Sequence, residues 1–232
     1  MIEIQKLTKT YGRTKILNKL DLTIDKGFLT IFGQNGCGKT TLLKILSTLI
    51  RKSSGTITID DLDLEEDGIE IRKKIGYIGH EIYLYDDLTA MENLKFYANL
   101  YGIPDSEFKG KAHELLDRFN LLHRMNDYVR VYSRGMKQRL SIARAILHEP
   151  TILLLDEPYT GLDQKARDVL DEVLFTNTEE KIIVMTTHNI ERLNLSERIA
   201  ILSKGKIVYD ETSDQMEVES FKAIYNRVVE GK

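Results

Sequence analysis

Apolar and polar positions alternate from the start of the chain. Glu3-Ile4-Gln5, Leu7 to Gly12 and Leu20-Asp21-Leu22-Thr23-Ile24 read as short strands separated by turns. Phe28-Leu29-Thr30-Ile31-Phe32, just after the turn at Lys26-Gly27, is a run of the kind buried on both faces. Past a glycine-rich stretch, Leu42, Leu43, Leu46 and Leu49 recur at helical spacing and predict one buried helix face. A turn at Ser53-Ser54-Gly55 then precedes an edge-type strand at Thr56 to Ile59. Ile69 to Lys74 predicts a short helix, and Ile75-Gly76-Tyr77-Ile78 a core strand.

The period changes at Thr89. From there to about Leu147 the pattern is mostly helical. It opens on the capping box Thr89-Ala90-Met91-Glu92, breaks at Gly102-Ile103-Pro104-Asp105, and resumes across Phe108 to Phe119. Strand patterns return at Thr151 to Leu155 and at Ile182 to Met185, on either side of a helix near Lys165 to Phe175. A hairpin at Ile199 to Tyr209 and an amphipathic tail from Ser213 follow. Alternating strand and helix argues an α/β fold with a mainly parallel central sheet. The expected division is a core lobe at 1–80 and 149–210, an inserted helical block at 81–148, and a tail at 211–232.

Composition narrows the picture. The 232 residues suffice for a full core, and a net charge of −3 with mixed signs leaves no basic footprint for nucleic acid. Apolar runs such as Ile152 to Leu155 are too short to span a bilayer. No signal-peptide pattern opens the chain, and the one cysteine, Cys37, suits a reducing cytoplasm.

The glycine-rich stretch carries the clearest chemistry. Gly33-Gln34-Asn35-Gly36-Cys37-Gly38-Lys39-Thr40 fits G-x-x-x-x-G-K-[ST] between a strand and a helix. Backbone N–H groups of such a loop curl around phosphate oxygens, with a positive helix N-terminus beneath them. Lys39 would reach the β- and γ-phosphates, and Thr40 would offer its hydroxyl to Mg²⁺; Thr41 follows on the same turn. Cys37 reads as a small residue that fits the loop. Its alkylation is expected to inactivate the protein, with bound ATP protecting it. A second strand, Ile152 to Leu155, ends in Asp156 and Glu157. Asp156 would join the Mg²⁺ shell and Glu157 would polarise an attacking water.

Further segments resemble the ATP-binding cassette (ABC) ATPases. Tyr132-Ser133-Arg134-Gly135-Met136, with its serine 23 residues before Asp156, is similar to their signature segment, usually L-S-G-G-Q. Gly161-Leu162-Asp163 resembles their D-loop. His188, 31 residues after Glu157, is similar to their switch histidine. The resemblance implies a P-loop ATPase core with an N-terminal antiparallel β region and an inserted helical subdomain. It implies ATP and Mg²⁺ as cofactors, and head-to-tail pairing in a homodimer or pseudo-dimer. Ser133 and Gly135 would then touch the γ-phosphate held by the opposite subunit. Tyr11 is similar in position to the adenine-stacking aromatic. The implied partner is a transmembrane permease subunit, with the chain peripheral to the inner face of the cell membrane.

Some positions depart from the family pattern. Tyr132, Arg134 and Met136 replace the usual signature residues, and His80 stands where a glutamine usually helps sense Mg²⁺ and the γ-phosphate. The stretch from Gly79 to Leu94 is similar to exporters assigned to haem, and Lys137-Gln138-Arg139 to ATPases of drug and polymer exporters. Ile82, Tyr83, Leu84 and Tyr85 offer apolar surface for a membrane partner, while His113, His123 and His148 show no ligand spacing. A soluble ABC ATPase acting on nucleic acid or ribosomes is an alternative reading, as is an ATP-binding regulatory module.

Overall fold

The computed structural model describes residues 1–176, 178–214 and 216–230. The chain opens with β1 (Ile2–Tyr11) and β2 (Thr14–Ile24), paired antiparallel. The alternation predicts two pieces within β1, and a bulge joins them. Lys6 sits at φ +50°, and the β1–β2 register slips between Ile4 and Leu7, which resets the side-chain alternation. Next come β3 (Gly27–Phe32) and α1 (Lys39–Leu46). The helix is shorter than its apolar spacing predicts. Thr48, at φ +61°, turns the chain out of the helix, and Leu49 is 45% exposed instead of lying on the buried face.

Strands β4 (Ser54–Ile59) and β5 (Leu62–Asp63) complete a sheet of order β2-β1-β4-β5. Ser54, expected in a turn, already pairs with Thr8 of β1. The chain continues through α2 (Gly68–Lys74), β6 (Ile75–Ile78), α3 (Ala90–Tyr101), α4 (Asp105–Arg118) and α5 (Arg134–Ile146). Thr89 forms the predicted capping box, accepting from Glu92 N at 3.2 Å while its own N–H donates to the Glu92 carboxylate at 2.8 Å. Helix α4 begins earlier than its apolar pattern because Pro104 O accepts the first turn's amides, from Glu107 and Phe108. The remaining elements are β7 (Ile152–Asp156), α6 (Gln164–Phe175), β8 (Ile182–Thr187), β9 (Arg198–Ser203), β10 (Lys206–Thr212) and α7 (Val218–Glu230).

The larger sheet runs β10-β9-β3-β8-β7-β6, parallel throughout except for β10. Its central strands are buried on both faces, and successive residues feed two different cores. Ile152, Leu154, Ile182 and Val184 join α1 and the antiparallel sheet. Leu153, Leu155, Ile183 and Met185 join α3 to α6. The sheet therefore fixes where each strand's C-terminal end emerges, and the loops that follow β3, β7 and β8 carry the chemistry.

Candidate nucleotide and catalytic site

The phosphate loop leaves β3 at Gly33. Two features fix its shape. Gly38 caps α1 at φ +116°, and a Cβ there would meet Leu17 Cδ2 at 2.8 Å. Lys39, 7% exposed, folds its ammonium back onto the loop and donates to Gly33 O at 2.5 Å and Gln34 O at 3.2 Å. The cation is thus held beside the loop by the loop's own carbonyls.

A pocket of about 260 Å³ opens over this loop, lined by Tyr11, Ile16, Asn35, Gly36, Gly38, Lys39, Thr40, Thr41, Asp156 and Glu157. Nine of these follow from the sequence; Ile16 does not, because its only signal is one aliphatic position in β2. Tyr11 reaches the pocket from the end of β1, half-exposed, with Lys9 Nζ 4.7 Å from its ring centroid. Gly33, Gln34 and Cys37 shape the loop without lining the pocket. Cys37 packs instead against the core beneath the antiparallel sheet, and burial raises its thiol pKa although Lys39 pulls it back. Its alkylation is therefore expected to be slower than that of a free thiol, and protection by ATP to be indirect.

The carboxylates follow β7. Asp156 is buried and accepts from Thr186 Oγ1 at 2.7 Å, because β7 and β8 pair with residues 156 and 186 opposite one another. Glu157 leaves the strand at φ +50°, a strained backbone for a non-glycine residue, which swings its side chain out of the β alternation. Three donors orient that carboxylate: Thr187 Oγ1 at 3.0 Å, His188 N at 2.9 Å and His188 Nδ1 at 2.6 Å. With Nδ1 donating to Glu157, only the Nε2 side of the imidazole is left to face another group. The resemblance singles out His188 but not its contact with Glu157, and that contact, like the two threonine hydroxyls, emerges only from the fold.

Other expected residues lie elsewhere. His80 is exposed and outside the pocket lining, so the geometry does not bring it to Thr40 and Asp156 as a metal ligand. The strand β6 ends at Ile78 and releases the chain before His80. Ser133 caps α5 by accepting from Met136 N at 3.2 Å, with half-buried Gly135 in the first turn, and neither lines the pocket of its own chain. Tyr132 is buried and donates to Arg124 O at 2.8 Å. Met136 packs on the helical core, and Arg134 is exposed. Asp163 caps α6 through Ala166 N at 2.9 Å and pairs with Arg139 at 2.5 Å. Of Ile82 to Tyr85 only Tyr85 is exposed; Tyr83 and Leu84 pack on the two main cores.

Comparison with known proteins agrees with this layout. The ABC transporter family model matches residues 17–160. The ATP-binding protein NatA of Bacillus subtilis (strain 168), an ABC transporter protein, is 37% identical over 84% of this chain and 81% of its own length. A daunorubicin resistance ATP-binding protein of Streptomyces coeruleorubidus is 34% identical over 94% of this chain and 70% of its own. The glycine betaine/carnitine/choline transport ATP-binding protein of Bacillus subtilis (strain 168) is 38% identical over 93% of this chain, which spans 59% of that protein. A solved ATP-binding subunit of an ABC transporter superposes with a TM-score of 0.90 at 27% identity, over 98% of this chain and 99% of that one. A dimeric ATP-binding cassette solved after hydrolysis, with ADP and Pi, gives 0.82 at 30% identity over 92% and 99%. The chain belongs to the ABC transporter family, as an ATP-binding subunit with ATPase activity.

Proposed function

We propose that this subunit hydrolyses Mg²⁺-bound ATP in a head-to-tail pair with a second cassette and thereby drives a separate transmembrane subunit in export. One observation carries the catalytic part: Glu157 borders the same pocket as the phosphate loop, and Thr187 and His188 hold its carboxylate. Tyr11 would stack on the adenine, loop amides and Lys39 would bind the phosphates, and Glu157 would take the proton of the attacking water. His188 would orient Glu157 and face the γ-phosphate from its Nε2 side.

Thr40 and buried Asp156 line one pocket and offer the hard oxygen donors that Mg²⁺ prefers. No group of three His, Cys, Asp or Glu side chains able to hold a metal occurs among the described residues, so phosphate oxygens and water would complete the shell. When bound, the ion would neutralise charge developing on the phosphates.

Ser133 and Gly135 stand at the N-terminus of α5, a helix of 13 residues whose positive end suits an anion brought by another subunit. In this reading the helical block 81–148 acts as the signature-bearing lobe on the core formed by 1–80 and 149–210. No helix among the described residues is long and apolar enough to cross a membrane. In this reading a separate transmembrane subunit forms the pore, and this subunit sits at the membrane's cytoplasmic face. The export reading rests on the resemblance of Lys137-Gln138-Arg139 to exporter ATPases and on the similarity to a daunorubicin resistance protein, while the glycine betaine/carnitine/choline transport protein is similar at 38% against 34% identity. The haem assignment rests on the 79–94 stretch alone.

Gel filtration of Glu157→Gln with and without ATP tests the reading. Removing the base should stall hydrolysis and trap an ATP-dependent dimer. A variant that binds ATP yet hydrolyses it at the wild-type rate and stays monomeric would overturn both the base and the pairing.

A further inference from the structure

The third buried cluster of the fold joins Phe32, Leu193, Ile199, Ile201 and Phe221. Phe32 ends β3, directly before the phosphate loop. Leu193 belongs to the 3-10 turn Ile190–Leu195, which begins two residues after His188. Phe221 comes from α7, is fully buried, and has its ring centroid 4.8 Å from that of Phe32. Helix α7 packs directly against the 190–195 turn. Its approach is tied to the same place, because Ser213 N donates to Glu197 O at 2.8 Å and the Ser213 hydroxyl donates to Ser196 O.

A short 3-10 turn is marginal by itself, so what it packs on sets its position. In this turn Leu193 is the one fully buried residue, and the cluster shared with Phe221 is its anchor. The link from Leu193 back to His188 is stiff. Asn189 N donates to Thr187 Oγ1 at 3.1 Å, and Asn189 Oδ1 accepts from Glu191 N at 3.0 Å. A shift of Leu193 therefore passes to His188, whose imidazole and amide both hold Glu157.

We infer that Phe221 of the C-terminal helix is a positioning residue for hydrolysis, acting through Leu193 to keep His188 against Glu157. The inference rests on the proposed roles of Glu157 and His188. Nucleotide affinity runs through other elements: Tyr11 on β1, the loop backbone and Lys39. Loosening α7 therefore lowers turnover without weakening ATP binding.

Steady-state hydrolysis by Phe221→Ala, Phe221→Val, Phe221→Met, His188→Ala and the double variant Phe221→Ala/His188→Ala tests this. In Phe221→Ala, kcat should fall on the order of tenfold, the size expected from a sub-ångström misplacement, with KM for ATP unchanged. Phe221→Met refills the volume and should recover most of the rate. Phe221→Val, which leaves part of the volume empty, is the folded probe if Phe221→Ala does not fold and should lower kcat in the same way by a smaller factor. In the His188→Ala background the second substitution should cost nothing more, since the group it positions is gone. Additive losses in the double variant would overturn the inference. So would a raised KM with unchanged kcat, which would route the effect through Phe32 and the phosphate loop. A wild-type kcat in His188→Ala would instead overturn the role of His188 itself. Loss in His188→Ala but in neither Phe221→Ala nor Phe221→Val would overturn the inference alone.

Discussion

Gly33 is where the phosphate loop closes most tightly on the sheet. A Cβ at this position would stand 2.5 Å from Leu202 O and 2.6 Å from Cys37 Sγ. The sulfur can turn aside, but the carbonyl belongs to β9, where Leu202 is paired with Ile207 of β10. We expect Gly33→Ala to cost about 1–3 kcal/mol of unfolding free energy, the usual range for overpacking. Because the carbonyl cannot retreat, the loop must move, and phosphate binding weakens with it. Urea unfolding with and without ATP reads both effects. The wild-type midpoint should rise with ATP, and the variant should lose most of that increment. Equal midpoints for the two proteins would mean that the loop absorbs a methyl group freely.

At the scale of elements, the contact between α3 and the end of α5 contains a half-buried histidine. The His148 ring stacks on Tyr101 at 3.7 Å with the planes 6° apart, and Nε2 lies 3.1 Å from Ile75 O, to which it donates. Desolvation pushes its pKa from 6.5 down to about 4; the bond to Ile75 opposes this, and Arg144 adds to it. The unfolded chain therefore takes up a proton before the folded one does. Stability from this site is complete above about pH 6.5 and is lost as pH falls toward 4, by about 3 kcal/mol in total. In His148→Phe, which keeps a ring against Tyr101, the urea midpoint should fall less steeply across that window. Superimposable curves would assign the acid loss to other groups. Nothing in the primary structure announces this site, because His148 has no ligand spacing and its burial comes from packing between elements far apart in the chain. The same distinction runs through the whole fold. Strands β3, β7 and β8 are legible because burial on both faces leaves continuous apolar runs, and the capping box at Thr89 is a local signal. Lys6, Thr48 and Glu157, all at positive φ, are not legible, since only tertiary contacts hold such backbones. At the site, loop and carboxylates follow from local spacing. Thr186 and Thr187 depend on register between β7 and β8, and the exposed position of His80 depends on where β6 stops.

For the whole molecule, α5 is the helix that ties the segment after β6 to the loop after Glu157. Arg144 Nη2 donates to Tyr77 O at 2.8 Å, at the end of β6, and Lys137 pairs with Asp86 at 2.6 Å in the stretch that follows. Two residues on, Arg139 pairs with Asp163 at 2.5 Å, and Asp163 also caps α6. The helix that starts at Ser133 is thus braced between the segment after β6 and the loop after Glu157. If Ser133 and Gly135 close on ATP held by another subunit, the Arg139–Asp163 brace sets the angle at which they arrive. The Arg139 side chain is 16% exposed but that of Asp163 is 56% exposed, so the pair is solvent-screened much as a surface bridge is. Removing it should cost the dimer about two- to fivefold in its association constant, the equivalent of roughly 0.5–1 kcal/mol. Binding of ATP to the single chain should not change, because Arg139 does not line the nucleotide pocket. Sedimentation of Glu157→Gln and of Glu157→Gln/Arg139→Ala in saturating ATP measures the first quantity, and titration with a fluorescent ATP analogue at low protein concentration measures the second. A drop in association at constant affinity identifies α5 as the element whose orientation limits closure. An unchanged association constant would show that the brace serves the folded chain alone, and that signature geometry is set within the first turn of α5.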